Sequence, residues 1–196
     1  LKKDYPGLQI DKVFDQADFI NLAISGVVQN AILGSFLAVL ILFIFLRSIK
    51  STIIIALSIP ISIITTFILL YFTNITLNMM TLGGLALGIG MLVDNSIVVL
   101  ENIYRHRSDG FSIKKAAVLG ANEVSTAVTA STLTTIAVFL PIIFVQGITS
   151  TIFKELAMTV SLSLISSLLV SLTLIPMLSS KLLSINKKTI KREKLI

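Results

Sequence analysis

Cysteine and tryptophan are both absent from this 196-residue sequence, and histidine occurs once. Without cysteine there is no disulfide frame, no thiolate nucleophile and no redox compartment to read. The one histidine, His106, stands between Arg105 and Arg107 in a polar stretch, the setting of a solvated side chain rather than a metal ligand. Zinc and haem are not expected, and no cofactor is. Charge is scarce as well: 13% of residues are charged, against about 25% in a typical soluble domain. Hydrophobic residues make up 55%, and the mean hydropathy is +0.96. The class these values point to is an all-α polytopic membrane helix bundle, not an enzyme.

The net charge of +6 does not mark a nucleic-acid surface, because the basic residues collect at the ends of apolar runs instead of forming a face. Their distribution is a topology signal. Residues 1–17 are polar, begin with leucine and carry no signal-peptide pattern, so they read as the end of an extracytoplasmic domain in a longer chain. Residues 18–184 read as five transmembrane helices and 185–196 as a basic tail.

The first helix covers 18–46, with its apolar part beginning near Asn30. A basic turn at Arg47 and Lys50 leads to a span over 52–72, about the 20 residues that a hydrocarbon core of about 30 Å requires. Pro60 within it predicts a kink, which membrane helices tolerate. The third span runs over 77–104. A short helix at the membrane surface follows over 111–123, then a hydroxyl-rich span over 124–145 and a fifth over 153–183. Alternating these spans puts twelve of the sixteen Lys and Arg residues on one side. By the positive-inside rule that side is cytoplasmic, so the N-terminus is outside and the C-terminal tail inside.

The third span carries the candidate site. Asp94 stands in the middle of an otherwise apolar run, where a carboxylate costs about 2.5–3.5 kcal/mol on insertion scales; such residues usually face a bundle interior and serve an ion or proton pathway. At 3.6 residues per turn, Gly83, Ala86, Gly90 and Asp94 share a face, and Gly84 with Gly88 forms a G-x-x-x-G pair beside it. Val98, Glu101 and Arg105 continue the Asp94 face, and Asn95 and Asn102 line the adjacent one. The i, i+4 spacing predicts that Glu101 pairs with Arg105. The hydroxyls of the fourth span, Thr132 among them, are expected to bond back to their own helix rather than solvate a proton path. The apolar parts of the other spans hold no lysine or arginine to pair with Asp94.

The run Gly-Ile-Gly-Met-Leu-Val-Asp-Asn-Ser-Ile-Val-Val-Leu-Glu-Asn-Ile at 88–103 closely resembles the central motif of the resistance, nodulation and cell division (RND) superfamily of proton-driven efflux pumps. Phe45-Leu46-Arg47-Ser48 and Ser58-Ile59-Pro60 upstream, with Phe139-Leu140-Pro141-Ile142 and Leu174-Ile175-Pro176 downstream, are similar to its flanking helices. The resemblance implies the second to sixth transmembrane helices of the first half of a twelve-helix, pseudo-twofold transporter. It further implies a homotrimer in a bacterial inner or cytoplasmic membrane, exporting drugs or other amphiphiles with the proton as coupling ion. Periplasmic adaptor or accessory proteins would be its partners. Asp94 matches the motif's proton-carrying aspartate. Asn95 stands where many members have a second one, which implies a single titrating site with Asn95 in support. The family's lysine partner comes from the second half of the transporter.

Two alternatives remain beside this reading. One keeps the fold but changes the cargo, as in relatives that export lipid or assist protein export. The other is a truncated remnant that inserts but transports nothing. Sodium in place of the proton is a variant of the first reading.

Overall fold

The computed structural model describes residues 16–46, 48–144 and 147–183. They form five helices, α1 (Gln16–Leu46), α2 (Ile49–Phe72), α3 (Met79–Ser108), α4 (Ile113–Phe144) and α5 (Ile148–Leu182), and no strand occurs among the described residues. The chain is therefore an all-α polytopic helix bundle. By length and composition, α2, α3, α4 and Phe153–Leu182 of α5 can each cross a membrane, and α1 holds a shorter apolar stretch, Ile32–Ile41. Most of the polar N-terminal stretch (1–15) and the basic tail lie outside the described residues.

Local chemistry sets the helix ends. The Ser48 side chain caps α2 by accepting from the Ser51 amide. Asn78 caps α3 more completely: its side-chain oxygen accepts from the amides of Met80 and Thr81, while the Thr81 hydroxyl accepts from the Asn78 amide at 2.8 Å. The turn into α4 uses Gly110 at φ 93°, a backbone conformation that a side chain disfavours. Where the sequence predicts a surface helix over 111–123 and a separate span over 124–145, α4 is one uninterrupted helix. Neither proline nor a capping turn divides it, and Ala116, Ala117, Gly120 and Ala121 in its first turns are already buried in the bundle. The helices also run on through Pro60, Pro141 and Pro176.

Among these helices α5 is central, packing against α2, α3 and α4. Gly84 lies against Thr159 and Gly88 against Ser163, so α3 and α5 run parallel with a constant offset. A methyl on Gly88 would sit 2.6 Å from Ser163 Cβ, which shows how closely the two backbones approach. Packed against both, α4 runs antiparallel to α3 and approaches it just as closely at Gly120, where a Cβ would stand 2.7 Å from Ile103 Cα. One core cluster joins Ile54 and Ile55 of α2, Val99, Leu100 and Ile103 of α3, Val128 of α4 and Ile175 of α5. A smaller one joins Leu70, Leu82 and Leu85 near the other end. The outer surface is apolar: Phe36 is 61% exposed and Val138 70%, as suits helices whose solvent is lipid. Between α1 and α2, an apolar groove of about 460 Å³ opens beside Pro60.

Candidate functional site

The glycines of α3 divide between two faces, and Asp94 belongs to only one of them. Gly84 and Gly88 point into the α5 interface, whereas a Cβ on Gly83 or Gly90 would meet nothing within 4 Å. Gly90, Asp94, Val98, Glu101 and Arg105 are all exposed and follow one another along this second face, which none of the other four helices covers. The polar stripe expected from helical spacing is therefore present, and it is an open surface of the bundle.

Asn95, one residue round the helix from Asp94, turns toward α4 and donates to the Thr132 hydroxyl at 3.1 Å. Thr132 in turn donates to the Val128 carbonyl at 2.8 Å, so it serves its own helix and its neighbour at once. Ser125, Thr134 and Thr135 bond only to carbonyls three or four residues back, as expected for hydroxyls in an apolar span. The next residue after Asn95, Ser96, is buried and lies 3.4 Å from the Ser58 hydroxyl of α2, a polar contact between helices.

At the C-terminal end of α3 the arrangement differs from the expected Glu101–Arg105 pair. Arg105 instead donates to Glu123, which precedes the apolar part of α4, at 2.7 Å. His106 also reaches Glu123, at 2.5 Å, and Asn102 donates both to Glu123 at 3.1 Å and to the Gly120 carbonyl at 2.8 Å. The Asn102, His106 and Arg105 hydrogen bonds hold the Glu123 carboxyl down at about 2. His106 is thus not the solvated side chain its neighbours suggested: it is 17% exposed, bonded to Glu123 and edge-on to the Phe111 ring. The reason is tertiary. An intrahelical i, i+4 pair competes with a partner on the facing helix, and the close approach at Gly120 brings Glu123 within reach of three donors at once. Sequence spacing carries no sign of Glu123 as this hub. The glycine three residues before it, at the helix crossing, is the one local hint.

At the opposite end, the Asn78 side-chain amide nitrogen donates to the Glu155 carboxylate, tying the α3 cap to the first turns of α5. Asp94 lies between these two polar ties.

The family model for the AcrB/AcrD/AcrF family matches residues 1–195. The chain belongs to this family. The motif at 88–103 is accordingly that of the RND superfamily, and the chain is a multi-pass membrane protein. Among AcrB/AcrD/AcrF relatives, it is 40% identical over 176 residues to multidrug resistance protein MdtC of Pectobacterium atrosepticum, covering 90% of this chain and 17% of that protein. It is 39% identical over 184 residues to swarming motility protein SwrC of Bacillus subtilis, covering 92% and 18%. An uncharacterized transporter of Haemophilus influenzae is 39% identical over 181 residues, with the same coverage. The chain thus spans less than a fifth of the length of these relatives.

Proposed function

We propose that this chain forms part of the membrane domain of a proton-driven efflux transporter, in which Asp94 takes up and releases the coupling proton and Asn95 supports it. The observation that carries the reading is the exposure of Asp94: a carboxylate midway along an apolar helix, on a face that no other helix covers among the described residues. Against hydrocarbon that position costs about 2.5–3.5 kcal/mol. A second helical element therefore closes on this face in the assembled protein, and the open glycines Gly83 and Gly90 let it approach. In the RND resemblance that element is the second half of the same transporter, which brings a lysine. Ionised Asp94 attracts the cation and favours one packing of the two halves; neutral Asp94 releases it and favours the other. Each proton moved down the membrane potential supplies about 2.3 kcal/mol per 100 mV to this exchange.

The cargo class that goes with this reading is drugs or other amphiphiles, and the assembly is a homotrimer in the bacterial inner or cytoplasmic membrane with periplasmic adaptor proteins. The positive-inside rule puts the C-terminal ends of α1, α3 and α5 on the cytoplasmic side. The test is Asp94→Asn in the full-length transporter. Efflux should be abolished with membrane insertion intact, and an infrared carboxyl band that grows on acidification should vanish. Undiminished drug export by the variant would overturn the assignment. Export that follows a sodium gradient would reassign the ion.

A further inference from the structure

We infer that Thr132 of α4 is a positioning residue for the Asp94 site: it turns the Asn95 amide so that the NH2 group meets α4 and the carbonyl oxygen is left on the open side of α3, beside Asp94. This rests on the reading of Asp94 given above and says how Asn95 supports it.

The orientation follows from one proton. A threonine hydroxyl has a single hydrogen to donate and two lone pairs that accept. Thr132 is 3% exposed, and its hydroxyl oxygen lies 2.8 Å from the Val128 carbonyl oxygen. Two oxygens that close need the proton between them, so the hydroxyl is spent as a donor, and toward Asn95 it only accepts. The Asn95 atom 3.1 Å from it is therefore the NH2 nitrogen. The carbonyl oxygen, on the other arm of the planar amide, turns away from Thr132. It has no hydrogen-bond partner among the described residues and is not one of their buried unpartnered atoms, so it is open to the surface.

Asp94 is the preceding residue, about 100° round the helix, and it is exposed. An amide carbonyl on that side accepts from the neutral carboxyl group, whereas an NH2 group would donate to the ionised one. Which arm of Asn95 stands there thus decides which state of Asp94 it holds, and Thr132 makes that choice from a second helix. No charged side chain competes at this level: 19–46 of α1, 51–72 of α2, 124–144 of α4 and 156–180 of α5 contain none. Among the described residues Thr132 is also the one hydroxyl of α4 bonded to another helix, since Ser125, Thr134 and Thr135 bond only to their own. A carboxylate at 95 would bring no proton to the Thr132 oxygen, so the threonine is matched to an asparagine there.

The experiment uses the full-length transporter in liposomes under a pH gradient, with substrate export and the infrared band of the Asp94 carboxyl group recorded on the same samples. Thr132→Val keeps the shape and removes the hydroxyl. It should lower export about fivefold, the factor that one lost hydrogen bond carries, at unchanged half-saturating substrate, and it should shift the band in wavenumber. Thr132→Ser should restore both. With Asn95→Ala already in place, Thr132→Val should change neither further, because the amide it orients is gone. If the valine variant does not accumulate, Thr132→Ala is read in the same way. Wild-type export or an unshifted band in Thr132→Val, the same loss in Thr132→Ser, or a full further loss on the Asn95→Ala background overturns the positioning role. Retained export in Asp94→Asn instead overturns the underlying reading of Asp94, so the two failures are distinguishable.

Discussion

Replacing Gly88 by alanine adds one methyl at the tightest point between α3 and α5. The new carbon would stand 2.6 Å from Ser163 Cβ and 2.7 Å from its Oγ. The hydroxyl can rotate away, but Ser163 Cβ is fixed to the α5 backbone. The helices must therefore separate by roughly 1 Å, which forfeits a quarter to a half of the dispersion energy of the atoms that part. Overpacking of this kind costs about 1–3 kcal/mol, and alanine returns up to about 1 kcal/mol in helix propensity. The net expectation is a loss of about 1–2 kcal/mol for Gly88→Ala. Gly90→Ala in the same chain, where a Cβ meets nothing, should be neutral or slightly stabilising. Ser163→Gly removes both clashing atoms, so the Gly88→Ala/Ser163→Gly double variant should recover most of the loss. The coupling energy expected is about 1–2 kcal/mol. Unfolding of the micelle-embedded chain by titration with a denaturing detergent, tracked by circular dichroism, measures the wild type, the three single variants and the double variant. Equal midpoints for the Gly88 and Gly90 variants, or additive single effects, would refute the parallel α3–α5 contact.

Two further predictions concern the polar ties at either end. The Glu123 carboxyl is held at about 2, below its ordinary value of 4.5, so its contribution to stability is present above that ordinary value and is lost as pH falls from there toward 2. The unfolding midpoint of the wild-type chain should therefore drop across this window, and Glu123→Gln should flatten the profile. An unchanged slope would mean that the hydrogen bonds from Asn102, His106 and Arg105 do not persist in solution. At the other end, Asn78→Ala removes a cap from α3 and the tie to Glu155, for an expected loss of about 1–2 kcal/mol. Asn78→Asp keeps the cap but sets a second carboxylate against Glu155, so its stability should improve on acidification. A variant as pH-independent as Asn78→Ala would count against the Asn78–Glu155 contact.

Much of the architecture is legible in composition and period. Runs of about 20 apolar residues separated by short polar turns specify membrane helices because an unsatisfied backbone group in hydrocarbon costs several kcal/mol, and the helix satisfies them all within one segment. The helix limits of α1, α2, α3 and α5 lie within five residues of those expected. The division expected near residue 123 is absent because no capping turn interrupts the helix among the polar and charged residues of 111–123. Their small neighbours, Ala116, Ala117, Gly120 and Ala121, are what pack into the bundle.

The candidate site divides in the same way. Asp94 and the face it shares with Gly90 can be derived from the chain alone, because a lone carboxylate in an apolar helix and the 3.6-residue period are both local properties. Helical period also singles out Gly84 and Gly88 as a pair, but not which helix they meet: α5 is decided by tertiary packing, since any helix with small residues in step, here Thr159 and Ser163, would fit. Spacing likewise allows Glu101 to pair with Arg105, and only the crossing of α4 at Gly120 decides that Arg105, His106 and Asn102 go to Glu123 instead. Local sequence determines what each helix can offer; which donors meet which acceptors depends on distances between helices, and those are set by how closely small residues let the backbones approach.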